Sequence, residues 1–383
     1  MKKSILFTLI LSTFVVGTVE LIIAGILELI GRDLNVSLSS VGQLITVYAF
    51  VAAIGGPILV TFTAKIEQKR LLLVSLTIFI SGNFMAAISS SYGVLMTSRI
   101  VVALSAAVFE IVALTITARL VPEESRGKML GFVYSGFSAA NVFGVPIGTM
   151  LGIRFGWRMT FIAIVILSII CFISIVLTLP NISPQAQVPM KERISVLKNP
   201  FVVNILLLGT VLLSGHYVVY AYISPLLTSS GYTASTVSLF LFIFGIAGTI
   251  GTSLGGILTD RMGVQKTLSI MVILFIISLF SLPFVLHSFV LFILISLVWS
   301  VTIWGISSPI QYYLIKAAPQ SADLALSLNI SALNIGIALG SLVGGAVLLK
   351  LPVTTEPWIG GTFGIVGLAL LFLLKKMSVN QMK

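Results

Sequence analysis

Four ionisable residues stand inside long apolar runs: Glu20, Arg99, Glu110 and His216. In a lipid-facing chain such groups are costly, so each is a functional candidate by default. A carboxylate such as Glu20 can take up and release a proton there, because a low dielectric penalises its charged form. Arg99 supplies a positive charge that can pair with it. Glu110 follows Arg99 by 11 residues. At about 100° per residue that spacing returns to within about 20° of the same helical face, about 16 Å along the axis. A charged stripe suits the wall of a cavity better than a lipid-facing surface. His216 opens the run His216-Tyr217-Val218-Val219-Tyr220. His216 and Tyr220 are four apart and share a face. With Tyr217, they offer an imidazole and aromatic rings suited to a flat, polar, heterocyclic ligand. Each group also has a structural alternative: a capped acid at Glu20, a static ion pair at Arg99 or Glu110, a backbone-bonded neutral imidazole at His216.

Further polar residues lie in apolar runs and can face a cavity or simply join helices: Trp304 with Gln311, Asn141, Asn334, Tyr48 and Tyr312. Glycines recur at spacings of four and eight, as Gly136, Gly144, Gly148 and Gly152 around Pro146, and again as Gly336, Gly340 and Gly344. Small residues at this spacing let helices approach closely, either as plain packing or as a seam that slides. Pro146 removes a backbone bond and permits a bend.

The elements that must position these groups follow from composition. The 383 residues are 58% hydrophobic and 9% charged, with a mean hydropathy of +1.16. A soluble domain carries about 25% charged residues. The chain is therefore predicted to be an all-α membrane protein, because lipid leaves no partner for an unpaired backbone group. With about 20 apolar residues needed per span, twelve spans can be counted, at roughly 5–30, 39–62, 71–90, 93–117, 129–152 and 159–179, then 201–227, 234–258, 267–286, 289–315, 323–349 and 358–375. The first is read as a retained span and not as a cleaved signal, since its apolar run is long and holds Glu20. On this reading Glu20 and Arg99 sit at similar depth, about 22 Å from the N-terminal edge of the layer in the case of Glu20.

The sequence also repeats itself. Gly55-Gly56-Pro57 precedes the basic turn Thr63-Ala64-Lys65-Ile66-Glu67-Gln68-Lys69-Arg70, and Gly251-Thr252-Ser253 precedes Thr259-Asp260-Arg261-Met262-Gly263-Val264-Gln265-Lys266. Thr259 follows Thr63 by 196 residues, and the same offset carries Glu20 onto His216. A duplicated membrane block predicts two pseudo-symmetric six-helix bundles, 1–180 and 201–383, with the ligand site near mid-membrane between them. The stretch 180–200 holds Pro180, Pro184, Pro189 and clustered charges, so 181–200 reads as a cytoplasmic linker between them.

Of the 22 basic residues, all but Arg32, Arg99, Arg154, Arg158 and Lys350 fall on the side of the N-terminus, which predicts both termini in the cytoplasm. The net charge of +11 is spread over short loops and forms no nucleic-acid surface. A single cysteine, Cys171, and two histidines leave no metal-ligand set or disulfide framework. Neither a Ser/His/Asp set nor a phosphate-binding Gly-x-x-x-x-Gly-Lys-Ser/Thr loop is present, which argues against an enzyme or a primary pump.

These residues resemble a known family. Thr259-Asp260-Arg261-Met262-Gly263, Arg99 in the fourth span, and Gly144-Val145-Pro146-Ile147-Gly148 followed by Phe155-Gly156-Trp157-Arg158 resemble motifs of the major facilitator superfamily over essentially the whole chain, within its twelve-span drug:proton antiporters. Gly17-Thr18-Val19-Glu20-Leu21, Gly215-His216-Tyr217 and Ile303-Trp304-Gly305 are similar to the bacterial branch that exports purine bases and nucleosides, whose relatives are assigned to arabinose-type sugars and chloramphenicol. The resemblance implies proton-coupled efflux of a small organic substrate across the cytoplasmic membrane, by a monomer with no cofactor other than the coupling proton. It implies proton coupling at Glu20, Glu110 and Arg99, and substrate contacts at His216, Tyr217, Tyr220, Trp304, Gln311, Asn141 and Asn334. It places conformational roles at Asp260, Arg261, Gly144, Pro146 and Gly148. The alternative is a broad multidrug or sugar exporter. One departure stands out: the signature aspartate of the first half is Ala64 and its glycine is Glu67, which puts the cytoplasmic latch of that half in doubt.

Overall fold

The computed structural model describes residues 3–122, 125–184 and 195–381, so residues 185–194 of the expected linker lie outside the described residues. It contains twelve helices long and apolar enough to cross a membrane. In the first unit (Met1–Val188) they are Lys3–Leu21, Leu38–Thr63, Gln68–Ala87, Tyr92–Arg119, Arg126–Phe155 and Trp157–Thr178. In the second (Pro189–Lys383) they are Pro200–Tyr220, Ala234–Met262, Val264–Val285, Phe289–Ala317, Pro319–Leu348 and Val353–Met377. This is an all-α membrane protein of twelve spans.

Local chemistry sets the ends. Ser37, Ser91, Glu67, Asn199 and Thr233 each accept a bond from a backbone N–H of the helix that follows, satisfying donors a helix start leaves open. Gly156 (φ +88°) and Gly263 (φ +83°) join consecutive spans by turns that only glycine adopts freely. The first span breaks at Ile22 and resumes as Ile23–Leu34. The seventh breaks at Ala221 and Tyr222 and resumes as Ile223–Ser229. Pro225 causes the second break, since it has no N–H to offer the carbonyl of Ala221. In the fifth span the turn Ala140–Gly144 is wound as a π-helix just ahead of Pro146, which absorbs the missing bond.

Glycines decide which helices touch. In the first unit, a Cβ at Gly144 would collide with the Thr18 hydroxyl, one at Gly148 would lie 2.6 Å from Ile22, and one at Gly152 2.9 Å from Ile26. The fifth span therefore lies directly on the first. In the second unit a Cβ at Gly336 would lie 2.7 Å from the Thr210 carbonyl, one at Gly340 would strike the Ser214 carbonyl, and one at Gly344 would lie 2.7 Å from that of Val218. Here the eleventh span lies on the seventh. The offset of 196 carries Gly144 onto Gly340, Gly148 onto Gly344, Thr18 onto Ser214 and Ile22 onto Val218. The duplication read in the sequence is thus repeated contact for contact. Hydroxyls pin both seams: Thr13 donates to the Val133 carbonyl at 2.9 Å, and Thr210 to that of Ala332 at 3.0 Å. The second and fourth spans meet at Gly55 against Leu104, and their counterparts at Gly251 against Val301.

A side chain forced into such a seam has nowhere to go. Gly340→Val or Gly144→Val is expected to destabilise its unit by about 1–3 kcal/mol through overpacking. Gly131→Ala, where a Cβ meets open space, is expected to be neutral or mildly stabilising. Thermal melts of the purified protein, followed by size-exclusion profile, check the contrast; equal melts for all three would remove the seams from the account.

Candidate functional site

In the first unit the structure gathers the charged residues picked out in the sequence. Arg99 on the fourth span is buried, with 1% of its surface exposed. Its Nη1 donates to the Val19 carbonyl at 3.1 Å, and its guanidinium lies 4.3 Å over the ring of Tyr48 on the second span. Nε and Nη2 have no hydrogen-bond partner among the described residues. Glu20 is half-buried on the first span, one residue from that carbonyl. The pairing of Arg99 with Glu20 is through space: the two interact electrostatically, and the shortest contact of Arg99 is to the backbone beside the acid. The reason is the break at Ile22, which leaves Val19 in the last turn of its helix, where carbonyls lack an onward partner. Glu110, also half-buried, lies within electrostatic reach of Glu20. Two acids, one cation and a tyrosine from three spans thus share one neighbourhood, and a proton on one acid alters the energy of a proton on the other. Asn141 sits buried on the π-wound turn of the fifth span.

The second unit is built of rings. His216 is fully buried on the seventh span. Tyr220 stacks on it at 5.0 Å between ring centres, and Tyr217 meets it edge-on at 5.0 Å. Phe244 of the eighth span lies parallel at 5.9 Å. Trp299 and Trp304 of the tenth close the box at 5.2 and 6.3 Å. The Trp304 indole rests on Gly248, where a Cβ would lie 2.6 Å away. Both His216 nitrogens and both indole N–H groups are buried without a hydrogen-bond partner among the described residues. A neutral imidazole is one donor and one acceptor, so the ring nitrogens alone offer three donors and one acceptor, besides the Tyr217 and Tyr220 hydroxyls. That equipment suits a planar heterocycle. His216 and Tyr220 share a face as their i, i+4 spacing predicted, and Tyr217 and Trp304 lie against the same imidazole. Gln311 is exposed on the far side of the turn at Ile306, and Asn334 is half-buried on the eleventh span with its Nδ2 on its own helix.

Trp299 and Phe244 escaped the sequence reading because an aromatic residue in an apolar run carries no mark of its own. Trp299 lies five residues before Trp304, and that proximity was the available signal. Glu356 also escaped it. Placed just outside the predicted twelfth span, it is completely buried in the first turn of that helix, and neither carboxyl oxygen has a hydrogen-bond partner among the described residues. Among the described residues no three His, Cys, Asp or Glu side chains converge to hold a metal ion.

At the basic turn of the first unit, Glu67 supplies the carboxylate missing at Ala64. It accepts bonds from the backbone N–H groups of Lys69 (3.0 Å) and Arg70 (2.9 Å), and from Ile182 beyond the sixth span (2.8 Å). The N–H of Gln68 returns a bond to the Ile182 carbonyl at 3.0 Å. Lys69 Nζ caps the sixth span at the carbonyls of Val176 (2.9 Å) and Leu179 (2.6 Å), and Arg119 holds the Ser183 carbonyl at 2.6 Å. The start of the linker is clasped to the first unit. Within the second unit Asp260 and Arg261 stand exposed and make no hydrogen bond or ion pair among the described residues.

Comparison with known proteins agrees with this architecture. The Major Facilitator Superfamily profile matches residues 9–323. The chain is 34% identical over 93% of its length, and 91% of the other's, to the uncharacterized MFS-type transporter YbcL of Bacillus subtilis. It is 33% identical to YtbD of the same organism (96% and 93%) and 32% identical to the inner membrane transport protein YdhP of Escherichia coli (96% and 94%). The crystal structure of a bacterial homologue of the human lysosomal transporter Spinster shares the fold with a TM-score of 0.78 at 16% identity, covering 98% of each chain. That of a D-xylose–proton symporter does so at 0.75 and 18%, covering 96% of each. The chain belongs to the Major Facilitator Superfamily. It is a membrane transporter and not an enzyme.

The clasp has a pH signature. Burial alone would raise the Glu67 carboxyl, but the bonds from Ile182, Arg70 and Lys69 and the Lys69 charge outweigh it and hold the group below its ordinary value. A lowered folded-state value means the stabilisation is complete above the ordinary carboxylate range and is lost as pH falls through the lowered one. Glu67→Ala is expected to speed hydrogen exchange at the Ile182 amide by about tenfold, the equivalent of about one hydrogen bond to a charged group. Glu67→Gln, which keeps an acceptor, should fall between. Unchanged exchange in the alanine variant would show the clasp to be energetically idle.

Proposed function

We propose that this transporter exports small organic molecules across the bacterial cytoplasmic membrane in exchange for protons, with purine bases, nucleosides and similar heterocycles as its preferred cargo. The observation that carries the reading is the division of labour between the units. One gathers Glu20, Glu110 and Arg99. The other gathers His216, Tyr217, Tyr220, Trp299 and Trp304 around unused ring nitrogens. Glu20 is the first proton carrier and Glu110 the second, and Arg99 sets which of them is ionised. The aromatic box recognises cargo by stacking and by the nitrogens of His216, Trp299 and Trp304. The glycine seams of the first and fifth, and seventh and eleventh, spans give the bundles room to shift, with Gly144, Pro146 and Gly148 at the bend. The basic-loop bias puts both termini in the cytoplasm. The protein works as a monomer in the bilayer, with protons as its coupling ion.

The energetics are adequate. One charge crossing 100 mV releases about 2.3 kcal/mol, enough for a gradient of roughly 40-fold in an uncharged substrate. A broad multidrug exporter is the second reading, favoured by how much of the box is bare ring. A sugar is less well served, since stacking faces outnumber hydrogen-bonding groups.

Proteoliposomes test the scheme. With an imposed pH gradient and radiolabelled hypoxanthine or adenosine, the wild type should show proton-driven uptake into inverted vesicles. Glu20→Gln should abolish it while leaving expression and melting intact; undiminished transport would remove Glu20 from the mechanism. His216→Ala should weaken substrate binding at least tenfold and leave the protons moved per substrate unchanged. If all purines fail to bind and unrelated lipophilic cations bind instead, the multidrug reading replaces the purine one.

A further inference from the structure

The scheme above leaves unused a cleft at one end of the second unit. It lies among the start of the seventh span, the turn joining the eighth and ninth, and the ends of the tenth and twelfth, and has a volume of about 860 Å³. Lys266, Lys316 and Lys375 line it, and among the described residues no aspartate or glutamate does. All three lysines are exposed, and Lys266 and Lys316 make no hydrogen bond or ion pair among the described residues. The ninth span begins at Val264 in the floor of the cleft, so its first backbone N–H groups and the positive end of its dipole add to the same field. The frame is fixed. Tyr313 donates to the Gln265 side-chain carbonyl at 2.8 Å, Gln265 Nε2 reaches the Leu371 carbonyl at 3.4 Å, and Phe201 packs edge-on against Tyr313.

The remaining wall is apolar. Phe372 is 65% exposed and Tyr312 50% exposed, both lining the cleft beside the lysines. A small hydrophilic anion would use the lysines and gain nothing from these rings. An amphiphile uses both. The basic-loop bias puts this end in the cytoplasmic leaflet, where anionic lipids attract clustered lysines.

We propose that this cleft binds an anionic phospholipid, its headgroup phosphodiester between Lys266 and Lys316 and the first carbons of an acyl chain along Phe372. The site is independent of the cargo and proton sites.

The test uses the full-length protein in nanodiscs and in detergent. Phosphatidylglycerol is compared with phosphatidylcholine by native mass spectrometry, counting retained lipid, and by melting temperature. Phosphatidylglycerol should be retained preferentially and should raise the melt. Each lysine contributes roughly fivefold, so Lys266→Gln with Lys316→Gln should weaken retention roughly 30-fold. The double arginine variant should restore it, and Lys350→Gln in the turn before the twelfth span should change nothing. If the glutamine variant proves less stable in phosphatidylcholine alone, retention by the arginine pair against a Phe372→Ala variant decides the matter. Equal retention of the two lipids, or full retention by the glutamine variant, overturns the proposal. So does an equal melting shift with inorganic phosphate at the same concentration, which would make this a site for soluble anions.

Discussion

A charge buried among apolar helices must be met by dipoles, rings or an opposite charge, and the first unit is arranged around that demand. Among the described residues Arg99 has no counter-ion in direct contact. It is held by a backbone carbonyl at Val19 and the face of Tyr48. The carbonyl is available because the first span breaks three residues later. The interruption of the helix, the arginine and the neighbouring acid are one device: the break supplies the acceptor, the acceptor fixes the guanidinium, and the guanidinium sets the field in which Glu20 sits.

The same scaffold is used twice for different chemistry. Glycines at matching positions bring the fifth span onto the first and the eleventh onto the seventh, with equivalent residues in contact. Where the first unit places Glu20, the second places His216, and where the first has a carboxylate and a guanidinium, the second has five rings around an imidazole. Packing without Cβ atoms is insensitive to what projects from the other faces of the helices. That tolerance lets one copy of a duplicated bundle specialise in charge and the other in aromatic contact while the backbone geometry is kept.

The parts legible in the sequence were those with a physical cost in lipid or a strict period. Spans follow from length and hydropathy, the duplication from its offset, and the glycine seams from their spacing. Glu20, Arg99, Glu110 and His216 were visible because each is expensive where it stands. Trp299 and Phe244 cost nothing in an apolar run and were therefore silent. Glu356 was hidden by an end effect: a helix that begins two residues before the predicted span carries its acid inside with it. The winding change at Ala140–Gly144 has no compositional mark except Pro146, two residues beyond it.

The turn that departs from the family pattern follows from backbone geometry. The offset of 196 sets Glu67 against Gly263. Gly263 has φ +83°, which a side chain rarely tolerates, whereas Glu67 has φ −56°, open to any residue. Once the first turn is wound this way, glycine is no longer required, and a carboxylate there can do what an aspartate at position 64 would have done, capping the third span from inside the turn. It does one thing more. By also taking the N–H of Ile182, it binds the end of the sixth span and the beginning of the linker into the same hydrogen-bonded knot. Glu67 therefore supplies a carboxylate cap in a turn where position 64 is alanine. The chain that leaves the first unit is anchored at 182–184 by Glu67, Gln68 and Arg119, beyond the last residue of the sixth helix.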